Sequence, residues 1–280
     1  MFKDYLRLIR FEHSLMVAFA VVVGQAIVEK SFGLHQLLPA LAPAFITAGA
    51  FALNDCLGYA SDKANKRIDR PLVAGKISRK NAWLVSIVFY ALGLLSSTLV
   101  NQAAYTIVLA FATASLAYDA FLKKIPFAGN LFIASTMSAS FLYASSAVTG
   151  SLEQFSFPIL VFAAMAFVAG VARELLITLR DVVGDRKAGM LTAPMLLGPR
   201  WTVIAASVLF SFAIALSLLP LLQKFYLPYA VFIIAADALF VTSSMRAFID
   251  SSPQSLQKIR NYTLYALGLG LLAFATLAWA

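Results

Sequence analysis

Nine stretches of mostly apolar residues, each long enough to cross a lipid bilayer, follow one another along the 280-residue chain. A membrane-spanning helix needs about 20 apolar residues, and the predicted spans are 14–29, 37–57, 81–100, 103–122, 129–150, 155–179, 201–219, 225–247 and 261–279. Only 12% of the residues are charged, against roughly a quarter in soluble domains. The sequence therefore predicts an all-α integral membrane protein with nine transmembrane helices and no separate soluble domain.

The basic residues of the connections between these spans are distributed unevenly. Of the 22 lysines and arginines, all but Lys30 and Lys224 fall on one side when alternate connections are compared. Because basic residues in short loops stay in the cytoplasm, this predicts a multi-pass cell-membrane protein with the N-terminus inside and the C-terminus outside. The net charge of +9 is then a topology signal. Membrane lipids are the expected surroundings, and no nucleic-acid partner is predicted, since that requires a basic face on a soluble module.

Polar residues concentrate in two cytoplasmic connections, which follow the second and the sixth span. These connections lie four spans apart, which hints at a four-helix repeat over about 1–125 and 126–250, plus a last helix, within a single transmembrane domain at 1–280. The only cysteine is Cys56. It excludes a disulfide framework and a cysteine-based metal cluster, because each needs at least two cysteines.

The first polar cluster closes the second span and reads NDCLGYASDKANKRIDRPLVAG. Asn54 and Asp55 precede Asp62 by about two helical turns, so the three side chains are predicted to lie near one face of a helix. A basic set follows at Lys63, Lys66, Arg67 and Arg70.

The second polar cluster closes the sixth span and reads ARELLITLRDVVGDRKAG. Glu174, Thr178, Asp181 and Asp185 follow the i, i+4, i+7, i+11 spacing, which predicts a polar stripe along one helix face. Arg180, Arg186 and Lys187 accompany it, and Lys123 and Lys124 follow the fourth span.

Acidic groups beside the hydrocarbon require compensation. An ionised side chain there costs about 2.5–3.5 kcal/mol, so several like charges together need cations. Ion pairs with neighbouring arginines and lysines are one way to compensate these charges. Carboxylate and amide oxygens also suit Mg²⁺, which is usually held by one or two carboxylates and by substrate phosphates. Acids and bases at one membrane depth therefore favour a metal-bridged diphosphate carried on an apolar tail.

At these clusters the sequence resembles the UbiA superfamily of intramembrane prenyltransferases. The family motif NDxxDxxxD is matched at Asn54, Asp55 and Asp62, and its DxxxD motif at Asp181 and Asp185. RPLVAG after Asp69 is similar to the family's RPLxxG, LTAPMLLG follows the second motif as it does in the family, and the family's YxxxLKRxxxxGN is matched from Tyr118 to Asn130. The resemblance implies nine helices around a central apolar chamber.

The resemblance also implies an enzyme that transfers a prenyl group from its diphosphate to a lipophilic acceptor with Mg²⁺ as cofactor. The implied catalytic residues are Asp55, Asp62, Asp181 and Asp185, and Asn54 joins them as metal ligands. The implied substrate-binding residues are Arg10, His13, Lys63, Arg67, Arg70, Tyr118, Lys123, Lys124, Asn130, Arg173, Glu174 and Arg180. Among these, Arg10, His13 and Arg173 are the candidates for an anionic group on the acceptor.

Within the superfamily, LRLIRFEHSLMVAFAVVVG and ARELL are similar to archaeal digeranylgeranylglyceryl phosphate synthases. This likeness implies a geranylgeranyl donor and geranylgeranylglyceryl phosphate as acceptor, in ether-lipid synthesis. Two positions depart from the family pattern. Gly58 replaces the middle aspartate of the first motif, and Thr178 stands where the ether-lipid enzymes tend to have aspartate.

Other functions are also compatible with an acid-bearing membrane protein. An aromatic or quinone precursor, of the 4-hydroxybenzoate type, is an alternative acceptor and is likewise anionic. A secondary transporter is a more remote alternative, since it usually places its acids near the midplane beside broken helices. The paired motif of CDP-alcohol phosphotransferases is absent from the sequence. Asp237, in the middle of the eighth span, is expected to be a hydrogen-bond partner between helices or a proton-linked site, and not part of these clusters.

Overall fold

The computed structural model describes residues 1–64, 67–187 and 189–279, and of Ser61 and Ala64 only the backbone. Lys66, one of the predicted basic residues, lies outside these ranges. Within them the chain forms helices and turns, with no β-strand. The α-helices are α1 (Phe2–Leu8), α2 (Phe11–Glu29), α3 (Leu37–Leu57), α4 (Tyr59–Ala64), α5 (Arg79–Thr98), α6 (Gln102–Ala120), α7 (Ala128–Thr149), α8 (Phe157–Lys187), α9 (Ala193–Ser217), α10 (Leu219–Gln223), α11 (Leu227–Ile249) and α12 (Pro253–Thr276).

The predicted number of membrane-spanning helices is confirmed. In the described part of the chain, nine helical segments are long and apolar enough to cross a membrane. Large apolar side chains remain exposed along them, for example Ile87 on α5, Phe212 on α9 and Ile234 on α11. Such exposure is unfavourable in water and is ordinary for a surface that faces lipid.

Three helices extend beyond the predicted spans at their polar ends. The sixth span continues to Lys187, the seventh begins at Ala193 and the ninth begins at Pro253. Hydropathy predicts only the apolar part of a helix that lies in the hydrocarbon. The helix itself begins and ends where its backbone is capped, which can be several residues further along the chain. At α12 the Ser252 side chain accepts a hydrogen bond from the Ser255 amide and a proline follows it, which is a strong helix start. At α9 the backbone is interrupted at Gly198, with a φ of +74°, which separates one polar turn from the apolar span.

The first compact unit comprises Met1–Gln25, Gly33–Leu122 and Tyr143–Gln154. In this unit α3 lies along α5, and small residues allow their backbones to approach closely. A Cβ atom added at Gly49 would lie 3.1 Å from the backbone oxygen of Ser86, and one at Gly93 would lie 3.0 Å from that of Ala42. This close packing holds α3 against α5, and the first acidic motif lies at the C-terminal end of α3.

The second compact unit comprises Ala26–Phe32, Lys123–Leu142 and Phe155–Ala280. Its core joins α8, α9, α11 and α12. The rings of Phe162 and Phe274 stack with centroids 3.9 Å apart, and those of Phe210 and Phe240 with centroids 4.7 Å apart. The core holds α8 in place along its length. The predicted four-helix repeat stays a prediction.

Of the two roles expected of Asp237, the structure shows the hydrogen bond between helices, within this second unit. The Ser217 hydroxyl on α9 donates a hydrogen bond of 2.7 Å to Oδ2 of Asp237 on α11. The Tyr229 hydroxyl donates to the backbone oxygen of Ser217 at 2.9 Å. These bonds give the intramembrane acid a partner on a neighbouring helix, as such groups require.

Candidate active site

The first acidic motif surrounds a buried carboxylate in the first unit. Asp55, in the last turn of α3, is 2% exposed. Its Oδ1 accepts a hydrogen bond from Nη1 of Arg70 and lies 3.7 Å from Nη2 of Arg10. The Nε atom of Arg70 is also 4.0 Å from Oδ2 of Asp62. One guanidinium therefore bridges two predicted metal ligands, and a second guanidinium approaches the more buried of them.

The backbone after α3 brings Arg70 back to the acids. The chain bends at Gly58, whose amide donates to the Asn54 carbonyl at 2.8 Å, while the Asp62 amide donates to the Gly58 carbonyl at 2.9 Å. The Arg67 amide then donates to the carbonyl of Asp62 at 3.0 Å, and the Arg70 amide to that of Arg67 at 3.0 Å. These bonds fold the link back toward the end of α3, which places the Arg70 side chain on Asp55.

Arg10 occupies the joint between α1 and α2. Its φ is +44°, which is uncommon for a residue other than glycine and is typically maintained by its surroundings. Here the guanidinium lies 4.3 Å from the ring centroid of Phe51, a cation–π geometry. His13 packs edge-on against the same ring at 5.7 Å, and its Nδ1 is 3.5 Å from Oε1 of Glu12. The structure thus brings Arg10 to the first motif, with His13 beside it.

The short helix α1 packs against the turn that follows Arg70. Leu8 is fully buried in a cluster with Leu72 and Ile77, which lie on the turn that follows Arg70. Asp4 of α1 is 3.7 Å from Nζ of Lys76 on the same turn. The packing of α1 therefore helps to hold the loop that carries the bridging guanidinium.

Asp119 is a buried acid of this unit that the sequence motifs did not single out. It lies near the end of α6, is 5% exposed, and accepts a hydrogen bond of 2.5 Å from Nδ2 of Asn54. No spacing rule links positions 54 and 119, because α3 and α6 meet only through helix packing. The one available signal was a charged residue inside an otherwise apolar span.

Other predicted residues of the first unit have further contacts in the structure. Lys63 is exposed, with Nζ 5.9 Å from the ring centroid of Tyr59. Arg67 binds Asp69 through two hydrogen bonds of 2.9 and 3.0 Å, and these lower the pKa of the Asp69 carboxyl below its usual value. Tyr118 is half-buried near the end of α6.

The missing family aspartate would have stood beside Asp62. A Cβ atom added at Gly58 would lie 3.6 Å from Oδ2 of Asp62, but only 2.8 Å from the backbone oxygen of Asn54. A side chain at 58 thus requires the backbone to shift. The first motif of this chain has two carboxylates and one amide.

The second acidic motif lies on α8 in the second unit. Arg180 donates to both oxygens of the neighbouring Asp181, at 2.8 and 2.5 Å, and its Nη1 donates to Oε1 of Gln257 at 2.6 Å. Gln257 belongs to the polar first turns of α12, which hydropathy had assigned to a connection. Asp185, one turn beyond Asp181, is half-buried. The predicted polar stripe is confirmed as helical through its full length.

Thr178 is part of a neutral hydrogen-bond chain within the stripe. Asn130 on α7 donates through Nδ2 to the Thr178 hydroxyl at 2.7 Å, and that hydroxyl donates to the Glu174 carbonyl at 2.6 Å. Where the ether-lipid enzymes tend to have a carboxylate, this chain has a hydroxyl that holds Asn130. The substitution removes one negative charge and keeps a link between α7 and α8.

Arg173 is a buried cation deeper in the same unit. It is 5% exposed, and its Nη1 donates to Oε1 of Glu174 at 3.0 Å. Its Nε is buried and has no hydrogen-bond partner among the described residues. An unpaired donor of this kind costs about 1–3 kcal/mol. Lys123 and Lys124 lie in the turn Leu122–Lys124, the former half-buried and the latter exposed.

The oxygen donors of the first motif fit a hard divalent cation. The carboxylates of Asp55 and Asp62 already share one positive charge, that of Arg70. Among the described residues no three His, Cys, Asp or Glu side chains form a metal-binding group. The oxygen donors that the first motif offers are two carboxylates and the Asn54 amide oxygen. Mg²⁺ needs no more, because water and phosphate oxygens complete its shell.

Comparison with known proteins identifies the family. The UbiA prenyltransferase family model matches residues 15–267, and the chain belongs to this family. Digeranylgeranylglyceryl phosphate synthase of Archaeoglobus fulgidus is 35% identical over 97% of this chain and 95% of its own length. The match covers both acidic motifs.

Solved structures share the fold. A structure of digeranylgeranylglyceryl phosphate synthase superposes with a TM-score of 0.75 at 26% identity, over 99% of this chain and 98% of the other. A UbiA homologue from Archaeoglobus fulgidus, solved with GPP and Mg²⁺, has a TM-score of 0.65 at 21% identity, over 97% of this chain and 99% of its own. The predicted nine-helix architecture is therefore the family fold.

Removal of Arg70 tests whether the first motif depends on this bridge. Arg70→Ala leaves the buried Asp55 without its hydrogen-bonded cation, and breaking a buried pair costs roughly 3 kcal/mol. We expect a clearly lower thermal unfolding midpoint in detergent, largely restored in Arg70→Ala/Asp55→Asn.

The matched control is Arg67→Ala, which breaks the more exposed pair with Asp69, worth about 0–1 kcal/mol. Equal midpoints for Arg70→Ala and Arg67→Ala would contradict a stabilising bridge.

Proposed function

We propose that this protein transfers a geranylgeranyl group from its diphosphate to the hydroxyl of geranylgeranylglyceryl phosphate, with Mg²⁺ as cofactor. The observation that carries the proposal is the pair of bridged acids at the end of α3, within a chain similar over nearly its full length to digeranylgeranylglyceryl phosphate synthase. The family assignment favours a transferase over the transporter that composition alone allowed.

The acidic residues are the candidates for holding metal. Asn54, Asp55 and Asp62 would hold one Mg²⁺, and Asp181 and Asp185 are the candidates for a second. The metal, when bound, supplies Lewis-acid stabilisation of the negative charge that grows on the departing diphosphate. A UbiA homologue of the same fold binds GPP and Mg²⁺, which supports this assignment.

The basic residues would bind the diphosphate itself. Arg70 and Arg180 each engage a carboxylate now. When a cation takes up the carboxylate oxygens, these guanidiniums become available for phosphate oxygens, which they bind in a bidentate manner. Lys63, Arg67, Lys123 and Lys124 are further candidates and lie on exposed or half-buried turns.

In the reaction, the allylic C–O bond to diphosphate breaks, an ether C–O bond to the acceptor oxygen forms, and the hydroxyl proton is released. Arginine donors held in place before the reaction stabilise the leaving group without further reorganisation. Apolar helices keep water from the electron-deficient allylic carbon. Tyr118 and Asn130 are the candidates to line the apolar chamber that the sequence predicts for the tail.

The acceptor's phosphate needs its own cation. Arg173 is the strongest candidate, because it is buried and its Nε has no partner among the described residues. Glu174, which accepts from Nη1, orients the guanidinium. Arg10 and His13 are further candidates, although Arg10 also approaches Asp55.

Neutralising one acid of each motif tests the metal-dependent reaction. We expect Asp55→Asn and Asp185→Asn each to lower transfer of labelled geranylgeranyl from its diphosphate by about a hundredfold or more, since leaving-group stabilisation is lost. Chelation of divalent cations with EDTA should abolish transfer by the unmodified protein.

Asp250→Asn changes an exposed acid between α11 and α12 and is the matched control, with activity close to that of the unmodified protein. Transfer that survives EDTA, or either motif variant at the level of Asp250→Asn, would contradict the metal-dependent mechanism.

We also propose that the acidic motifs face the cytoplasm of a cell-membrane protein whose N-terminus is cytoplasmic. The uneven distribution of basic residues supports this orientation. In a Cys56→Ala background, Ser251→Cys and Ser31→Cys each introduce one exposed thiol, on opposite predicted sides. An impermeant maleimide should label only Ser31→Cys in intact cells and both variants after lysis. Labelling of Ser251→Cys in intact cells would contradict the proposed orientation.

A further inference from the structure

Asp119 is a buried carboxylate that the reaction described above does not use. It lies near the end of α6, at 5% exposure, within an otherwise apolar span. A charged group at such a depth is costly and is a functional candidate by default. The other buried residues of α6 are alanine, valine and serine, which suit close helix packing. Packing alone therefore gives no reason for an acid at this position.

The hydrogen bond between Asn54 and Asp119 points to the first acidic motif. Its Oδ1 accepts the hydrogen bond of Nδ2 of Asn54, and Asn54 precedes Asp55 in the chain. A side-chain amide has two different ends, one a donor and the other an acceptor. An ionised carboxylate accepts hydrogen bonds and cannot donate them. The Asp119 carboxylate therefore keeps the Asn54 amide nitrogen turned toward itself. The Asn54 amide oxygen is then left for other partners.

The orientation of this amide matters more here than in a motif with three acids. With glycine at 58, the first motif offers two carboxylates, so the Asn54 amide oxygen would be the third side-chain oxygen available to a cation. A flipped amide would present two N–H donors to a cation and repel it. Partners that orient metal ligands through hydrogen bonds typically change metal affinity by 10- to 100-fold when removed.

We propose that Asp119 is a positioning residue for the divalent cation of the first motif, acting through the amide of Asn54. The inference rests on the proposed function, because it requires that Asn54 bind the cation. It differs from a direct ligand role, in which the charge of Asp119 would contact the metal. It also differs from a purely structural role, in which Asp119 would only join α3 and α6.

The experiment titrates the purified protein in detergent with MnCl₂ and follows the EPR signal of free Mn²⁺. We expect Asp119→Ala to raise the half-saturating Mn²⁺ concentration roughly tenfold. Asp119→Asn, which keeps an oxygen that accepts from Asn54, should raise it less than threefold, about the effect of a weaker neutral hydrogen bond. In an Asn54→Ala background, Asp119→Ala should have no further effect.

Thr113→Ala is the matched control on the same helix, because the Thr113 hydroxyl bonds only to backbone oxygens of α6 in the contacts that the structure gives it. If Asp119→Ala fails to accumulate, Asp119→Ser takes its place, since serine is too short to reach Asn54. The same tenfold rise is expected.

The inference is overturned if Asp119→Ala binds Mn²⁺ like Thr113→Ala, or if Asp119→Asn is as impaired as Asp119→Ala. A full additional loss in the Asn54→Ala background also overturns it. An unmodified protein that binds no Mn²⁺ would contradict the proposed function itself, which separates that failure from a failure confined to Asp119.

Discussion

The pairing of the buried Asp55 carboxylate with guanidinium cations organises the end of the first unit that carries the first acidic motif. Asp55 is almost without solvent contact, and two guanidiniums approach it. Satisfying it requires the link after α3 to fold back with Arg70, and the joint at Arg10 to adopt a left-handed backbone. The docking of α1 on the Arg70 turn supports the same arrangement. In the second unit, Arg180 binds the adjacent Asp181, which is more exposed than Asp55.

The pairing also suggests how a highly charged substrate is accommodated without leaving a charge unmatched. In our proposal, the acids exchange their guanidiniums for metal while the guanidiniums exchange their carboxylates for phosphate. Each of these carboxylates and guanidiniums would then keep an oppositely charged partner, which limits the desolvation penalty. A diphosphate without a cation would leave the carboxylates unpaired, which is a physical reason for the metal requirement that we propose.

The sequence predicted the features that follow from local periodicity. The nine apolar stretches predicted the spans, and the i, i+4, i+7, i+11 spacing predicted the stripe on α8, because both depend on one helix at a time. It did not predict contacts made by tertiary packing. Gln257 was missed because a polar helix start looks like a connection, and Asp119 because it meets Asn54 only across packed helices. The role of Arg10 was only partly anticipated, since its approach to Asp55 depends on a backbone conformation that composition does not reveal.

The identity of the acceptor is the most direct test of the central claim. The purified protein would be offered geranylgeranyl diphosphate with geranylgeranylglyceryl phosphate, geranylgeranylglycerol or 4-hydroxybenzoate, and the products identified by mass spectrometry. Our account predicts an ether product from the phosphorylated glycerol lipid and little from the other two, with Arg173→Gln losing the preference for phosphate. A prenylated 4-hydroxybenzoate as the main product, or equal use of the phosphate-free lipid, would contradict it.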